Sequence, residues 1–491
     1  MIYLLSISIG PVQDFITAAR RTADLYAGSQ ILQELSKVAA RYLANNSVEL
    51  IFPADKEADG ANKILAQVDG DPKGLAEGVK KAVREKLHQL WKETIDKLSQ
   101  EYRSQIDQSR AEEQLDHFLE FYAAWVPLEK ESEYSSARLA VERLLAGRKA
   151  LRDFSPTQQN DDGVPKSPLD PARAAVIDPR QWGEASVRLE GGGYRPLRIK
   201  PTEYLDAISL LKRCYGALKS DKVVDTHIMA RRSWQPEAEP DERYGKEDDH
   251  IQEPQPYFAI LVADGDRMGE LISRQDNREA HRQLSKTLDE FAQKAREIVP
   301  KYRGFMVYSG GDDVLAFLPV NRAVECAQEL SETFRHQVKG TLSAGIAIVH
   351  YREPLSISLE NARNAEKAAK NGGRNALAVA LHTRGGTPVT VVQRWADLIW
   401  DELLAAYKNH KIARGLAHEL YKLALEWQDE MLDEYLYKEA QRVLARKEAR
   451  ELKIPRPVSY RKQLLTFVEQ LIIARFLSGI KEEETHAGTG T

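Results

Sequence analysis

Between residues 257 and 381 short apolar runs and amphipathic stretches alternate in an order that few folds accommodate. YFAILVA (257–263) reads as a strand that runs into Asp264-Gly265-Asp266. A helical stretch follows, from MGELIS through LSKTLDEFAQKAREIV. GFMVYS and VLAFLP read as two strands joined through Gly310-Gly311-Asp312-Asp313. NRAVECAQELSETFRHQV is then a helix with Asn321 as its N-cap. TLSAGIAIVHY is a strand, SLENARNAEKAAKN a helix and NALAVAL a strand. The resulting order, β-α-β-β-α-β-α-β, extends the ferredoxin-like arrangement.

The N-terminus starts the same way. IYLLSISI (2–9) is a strand closed by Gly10-Pro11, and VQDFITAARRTADLYAGSQILQELSKVAARYLA is a helix with a break expected at Gly28-Ser29. VELIFP and NKILAQVD are two further strands, so residues 1–75 read as a small α+β domain. Residues 76–250 read as a mostly helical insert and linker. Within it, 155–200 is Pro/Gly/Asp-rich loop, PTEYLDAISLLKRCYG is a helix, and 235–256 is an acidic, proline-rich exposed linker. Residues 251–385 form the second sheet domain, 386–480 a C-terminal helical bundle and 481–491 a disordered tail. The expected fold is therefore α+β, with two ferredoxin-like domains related in element order and not in residue identity.

Composition narrows the function. A chain of 491 residues exceeds one ordinary core. A net charge of −4 gives no basic excess for autonomous nucleic-acid binding. Cys214 and Cys326 are far apart and outside any C-x-x-C, which argues for a reducing compartment and against a disulfide framework or a cysteine zinc site. The N-terminal apolar run lacks a basic leader and a cleavage-like site, and no apolar run is long enough to span a bilayer. A cytoplasmic protein without membrane contact is expected.

The acids carry the chemistry. Asp264 ends one strand, while the hairpin lifts Asp312 and Asp313 to its tip. If the two strands are neighbours, these acids converge. Oxygen ligands without cysteine or histidine select Mg²⁺ or Mn²⁺, and two such ions clamp the attacking and leaving oxygens of a nucleotidyl transfer. Gly265 lets its backbone carbonyl approach the cation, and Ser309, Gly310 and Gly311 border space for a base or phosphate. The plainer alternative is that Gly-Gly-Asp-Asp only makes a hairpin turn. The tight apolar flanks and the second acid pair favour chemistry. Lys367, Lys370 and Arg374 are placed to neutralise a triphosphate, or merely suit the end of a helix. Asp266 is either a further ligand or the N-cap of the helix near Met268. Arg20, Arg21, Arg231 and Arg232 meet RNA or a neighbouring subunit, or form solvated, ion-paired surface.

VADGDRMG, YSGGDDVLAF, LSAGIAIVHYREPL and EKAAKNGGRNAL resemble the polymerase/cyclase palm of the GGDEF superfamily in its Gly-Gly-Asp-Asp variant. SIGPVQDFITAARRTADLYAGSQILQEL and VPKSPLDPARAAV resemble the large subunit of type III-B CRISPR effector complexes. The resemblance implies two palm domains, a helical insert and a C-terminal helical domain. It implies conversion of ATP to cyclic oligoadenylates in antiviral defence, switched on by target RNA bound to an assembled complex of partner subunits and guide RNA. Carried over, Asp264, Asp312 and Asp313 are the metal and catalytic positions, with Gly265 assisting and Lys370 at the nucleotide. The first palm lacks an acidic tetrad and is non-catalytic, and Gly28-Ser29 would contact a second ATP. Many relatives open on an HD nuclease domain. This chain opens on the first palm and contains no His-Asp dipeptide, so single-stranded DNA cleavage is not expected. Relatives also carry a cysteine zinc site in the insert. Two cysteines cannot build one, and both are expected to be small buried apolar residues. The competing functions are a stand-alone cyclic-dinucleotide cyclase, active without RNA, and a non-catalytic ATP-binding scaffold.

Overall fold

Strand register shows how the chain builds its two sheets. A computed structural model describes residues 1–59, 62–151, 163–219, 223–234, 256–413, 415–426, 433–447, 449 and 460–479. The expected linker at 235–256, apart from residue 256, and the tail at 481–491 lie outside the described residues.

The first sheet uses β1 (Ile2–Gly10), then α1 (Gln13–Thr17), α2 (Thr22–Asn45), β2 (Glu49–Phe52) and β3 (Lys63–Asp69). Next come α3 (Pro72–Ile95), α4 (Gln100–Ser104), α5 (Gln108–Phe118), β4 (Glu120–Pro127) and α6 (Tyr134–Ala150). The strand order is β2-β3-β1-β4, with β1 antiparallel to both neighbours. Along β1 the side chains alternate as the pleat requires. Leu5, Ile7 and Ile9 enter the large core shared with α2 and α3, while Leu4 packs with Tyr134, Val141 and Leu145 of α6.

Two expectations give way here. The helix at 12–44 is interrupted at Ala18–Arg21 and runs unbroken through Gly28-Ser29. The buried Lys212 ammonium takes the carbonyls of Phe15 and Ala18 at 2.5 and 2.7 Å, which stops α1 and holds the interruption. The mostly helical stretch expected from residue 76 also contains a strand that pairs into this sheet. EFYAAWVP forms edge strand β4, whose half-exposed side chains blurred the alternation that marks a strand. The boundary at residue 75 therefore does not coincide with a break in this sheet.

The insert adds the small hairpin of β5 (Ser186–Arg188) and β6 (Tyr194–Pro196), then α7 (Ala207–Lys219) and α8 (Thr226–Arg231). On α7, Arg213 is buried in ion pairs with Asp24 at 2.9 Å and Glu203 at 3.2 Å, which fasten the insert to α2. Cys214 is buried and unbridged, as is Cys326.

The second sheet domain runs β7 (Tyr257–Gly265), α9 (Met268–Ser273), α10 (Arg278–Lys301), β8 (Phe305–Gly310), β9 (Asp313–Leu318), α11 (Ala323–Val338), β10 (Leu342–His350), α12 (Leu355–Asn371), β11 (Ala376–Leu381) and β12 (Val389–Arg394). The order is β12-β11-β10-β7-β9-β8. The four strands at one end, β10-β7-β9-β8, repeat the order β4-β1-β3-β2 of the first sheet, which is the ferredoxin-like arrangement in both. Ala259, Leu261 and Ala263 face Leu288, Phe291 and Ala295 of α10, and Phe258 and Ile260 face the core shared with the first sheet.

The region expected to be a helical bundle from residue 386 begins instead with strand β12, antiparallel to β11. Its VTVV run is β-branched and extends the sheet past residue 385. Asn321 lies in a short 3₁₀ turn, Val320–Arg322, and Arg322 holds the N-cap position of α11. Helices α13 (Trp400–Lys408), α14 (Leu416–Glu426), α15 (Asp433–Arg446) and α16 (Tyr460–Ser478) form the C-terminal bundle. Leu416, Leu420, Leu464, Phe467 and Leu471 join the core under the second sheet. Among the described residues no helix is long and apolar enough to cross a membrane.

Candidate active site

Strands β7 and β9 are antiparallel neighbours, with register from Ala259↔Leu318 to Ala263↔Val314. One step further along the ladder, Asp264 comes opposite Asp313. In the β8–β9 hairpin Gly310 pairs with Asp313, which leaves Gly311-Asp312 as the turn. Gly311 takes φ +64°, a conformation glycine adopts at low cost. The condition set by the sequence, adjacency of the two strands, is met. Asp264, Asp312 and Asp313 each offer a carboxylate oxygen, and these oxygens lie within 4.8 Å of one another.

Gly265 serves this convergence sterically. A Cβ there would stand 2.9 Å from both the Cβ of Asp312 and the Cγ of Met268, so the glycine admits the Asp312 side chain. Burial, and then the charge of Asp264, push Asp312 up to about 7. Burial, a hydrogen bond with Asp264 and the charge of Asp312 hold Asp313 well above the usual carboxylate range. Burial and the same two aspartates also raise Tyr308. Carboxyls gathered this closely need a proton or a cation between them. Three hard oxygen donors fit a dication such as Mg²⁺ or Mn²⁺.

Lys370 donates to Asp264 and pairs with Glu366 at 2.8 Å. Burial lowers the basicity of this ammonium, but the two carboxylates outweigh it and raise Lys370 above its usual range. Glu366 is 8% exposed and did not emerge from the sequence. Its only signal was the i,i+4 spacing to Lys370 on α12. Gly345 of β10 makes this reach possible. A Cβ at that position would stand 2.6 Å from the Ala365 carbonyl carbon and the Glu366 Cα, so α12 rests directly on the strand. Ser343, two residues before it, pairs with Asp264 across β10–β7.

Asp266 is not the N-cap of the helix near Met268. The N-cap position of α9 belongs to Arg267, without a side-chain cap. The buried Asp266 carboxylate accepts from Thr341 Oγ1 at 2.8 Å, Ser343 Oγ at 2.6 Å and the Asn375 backbone N–H at 2.9 Å. Its acceptor capacity is spent on the start of β10 and on the turn after α12, where Arg374 and Asn375 adopt φ of 64° and 47°. Such angles strain L-residues, and the Asn375 N–H bond to Asp266 ties this turn to the start of β10, where Thr341 and Ser343 donate to the same carboxylate.

Several other expected positions sit differently. The Ser309 hydroxyl donates to the Ala292 carbonyl at 3.1 Å and is buried against α10, so it does not border the open side of the hairpin. Gly310 is buried, whereas Gly311, Lys367 and Arg374 reach solvent. Gly28 lies against Ile16 and Lys212, and the 1%-exposed Ser29 accepts from Gln33 at 3.3 Å. Both are packing positions of α2 and offer no surface to a nucleotide. Arg20 pairs with Glu203 at 3.6 Å, Arg21 donates to the carbonyls of Leu197 and Arg198, and Arg232 donates to the Arg303 carbonyl. Arg231 ends α8.

A ferredoxin-like sheet with three carboxylates where its first strand meets its hairpin defines a palm of the nucleotidyl-cyclase type. The family model for Cas10/Cmr2, second palm domain, matches residues 257–378, and the model for CRISPR-associated protein Cmr2, N-terminal, matches residues 4–108. The CRISPR system Cmr subunit Cmr2 of Pyrococcus furiosus is 24% identical over 578 residues, which cover 85% of this chain and 65% of that relative. The chain thus spans about two thirds of the length of that curated relative. The chain is thus similar to Cas10/Cmr2 proteins in two separate stretches and, at 24% identity, over most of its length. Its fold is similar to a subunit of the type III-B Cmr-beta complex bound to cognate target RNA, with a TM-score of 0.68 at 12% identity over 98% of this chain and 83% of that chain. It is also similar to a chain of the Csm1-Csm4 cassette in complex with cA4, with a TM-score of 0.54 at 16% identity over 96% and 70%.

Proposed function

We propose that this chain is the large subunit of a type III CRISPR ribonucleoprotein and that its second palm makes cyclic oligoadenylate from ATP when target RNA is bound. The observation that carries the reading is the gathering of Asp264, Asp312 and Asp313 from two chain segments within 4.8 Å. Solved Csm1-Csm4 cassettes of the same fold are in complex with one ATP, with pppApA, with pppApApA and with cA4, which supports adenylates as the substrate class. The Cmr-beta structure bound to cognate target RNA supports RNA as the trigger. The partners are then the other subunits, guide RNA and target RNA, in the cytoplasm.

Asp264, Asp312 and Asp313 would hold Mg²⁺ or Mn²⁺, with the Gly265 carbonyl beside them. Such an ion supplies Lewis acidity at the α-phosphate and lowers the pKa of an acceptor 3′-hydroxyl. Lys370, beside Asp264, meets the triphosphate, and Lys367 and Arg374 extend positive charge along the end of α12. The 3′-oxygen of one adenosine bonds to the α-phosphorus of the next ATP, the α–β anhydride bond breaks and pyrophosphate leaves. Closure repeats the step within one chain, the last 3′-hydroxyl attacking the 5′-terminal α-phosphate. The first palm, without an acidic tetrad, braces the second.

The test is product analysis by mass spectrometry on the assembled complex supplied with ATP and Mg²⁺ or Mn²⁺. The native chain is expected to release cyclic oligoadenylate only with target RNA, and Asp312→Ala with Asp313→Ala to release none. Product from the double variant would overturn the assignment, and product without RNA would point to a stand-alone cyclase.

A further inference from the structure

One stripe of α10 is fastened to the first sheet domain along its whole length. Arg278 donates to Glu49 and Gln67 at 2.8 and 2.9 Å, and Arg282 donates to Glu49 at 2.5 Å. The Ser285 hydroxyl accepts from the Ala54 backbone N–H at 2.8 Å. Five helical turns beyond Arg278, Arg296 donates to Asp59 at 2.6 Å, and Asp59 also pairs with Lys37 of α2 at 2.5 Å. Positions 278, 282, 285 and 296 share a face at 3.6 residues per turn.

Arg296 differs from the rest of the stripe in what else it holds. Its second terminal nitrogen donates to the Ser309 carbonyl at 2.7 Å. The Ser309 hydroxyl donates back to Ala292, one turn earlier on the same helix. The strand that delivers the Gly-Gly-Asp-Asp turn is thus gripped at one residue by backbone and side chain, and one of the gripping groups is shared with the first domain. The ring of Tyr26 on α2 packs on Phe305 of the same strand at 5.6 Å, a second contact of the first domain with the hairpin.

We propose that Arg296 is a positioning residue that transmits the placement of the first palm, through Asp59, to the hairpin bearing Asp312 and Asp313. Its guanidinium forks between a carboxylate of one domain and a backbone carbonyl of the other, a geometry that lysine cannot reproduce with a single nitrogen. A shift of the first palm that pulls Asp59 away loosens the hold on Ser309 and lets the acids spread. The proposal rests on the functional reading above for its consequence in catalysis, but not for its geometry.

The test is hydrogen–deuterium exchange of the 305–318 segment in the full chain, with Mn²⁺ titration of the same samples. Arg296→Gln and Asp59→Asn are each expected to speed exchange at the hairpin about tenfold, the equivalent of one lost charge-assisted hydrogen bond. The pair together should give little more than either alone. Arg278→Gln unfastens the other end of the stripe and is expected to leave hairpin exchange unchanged. Unchanged exchange in Arg296→Gln, or an equal rise in Arg278→Gln, overturns the proposal. In the expected case Mn²⁺ also binds about tenfold more weakly to Arg296→Gln, matching the loosened hairpin. Faster exchange in Arg296→Gln alongside equal Mn²⁺ binding by the native chain and Asp312→Asn/Asp313→Asn upholds the proposal and overturns the metal-site reading instead.

Discussion

At the scale of residues, the acid cluster sets a pH dependence opposite to that of ordinary surface carboxylates. Asp312 sits at about 7 in the fold against 3.8 in an unfolded chain, so the fold binds the extra proton between those values. Metal-free protein is therefore most stable below about pH 4 as far as this group is concerned, and loses that contribution as pH rises through about 7. Thermal melts in chelator should show this slope. Asp312→Asn/Asp313→Asn should flatten it, and Mn²⁺ should offset it in the native chain alone. Gly265→Ala should displace Asp312 while leaving the cores intact, seen as weaker Mn²⁺ binding at a nearly native melting temperature. Asp266→Asn should do the reverse, lowering stability by about 2 kcal/mol through its three donors while keeping Mn²⁺ affinity. Lost Mn²⁺ binding at native stability would make Asp266 a ligand after all. The three clustered acids were legible in the sequence because charge at a hairpin tip and at a strand end is a local signal. The partners of Asp266, Thr341, Ser343 and Asn375, were not, since the contact joins segments some 75 to 109 residues apart.

At the scale of elements, α12 and α10 place the chemistry. Gly345→Ala would force α12 off β10, where overpacking costs about 1–3 kcal/mol, and would carry Lys370 and Glu366 away from Asp264. Urea unfolding together with the ATP concentration dependence of the assembled complex checks both effects. On the other side of the sheet domain, Tyr134 of α6 lies 2.8 Å from His281 Nδ1 on α10. Burial, and then Arg138, push His281 down to about 4, so the neutral ring is the one that fits. The histidine's contribution is complete above about pH 6.5 and is lost as pH falls through about 4. Hydrogen exchange in α6 should accordingly rise in that window. The helices and inner strands were readable from periodicity. Edge strands β4 and β12 were not. Each lies next to helical sequence and is half exposed, and only pairing distinguishes it, with distant β1 for β4 and with the preceding β11 for β12.

At the scale of the whole molecule, two sheets of the same strand order are joined through α10 and α2, and the acids occur on the second. The ion pairs of Arg278, Arg282 and Arg296 with Glu49 and Asp59 cross this joint. That arrangement fastens the first sheet domain to the helix that packs on the second, a property no single segment of the sequence displays. Element order revealed the duplication, while the interface required coordinates because its partners are about 230 residues apart. Nucleotidyl transfer on this palm requires a single dication bridging the end of β7 and the tip of the β8–β9 hairpin. Equilibrium Mn²⁺ binding to the full chain, compared among native, Asp264→Asn and Asp313→Asn proteins, tests this directly. Both substitutions are predicted to weaken the same site by about tenfold or more. Full binding by either variant would mean that the two segments do not share an ion.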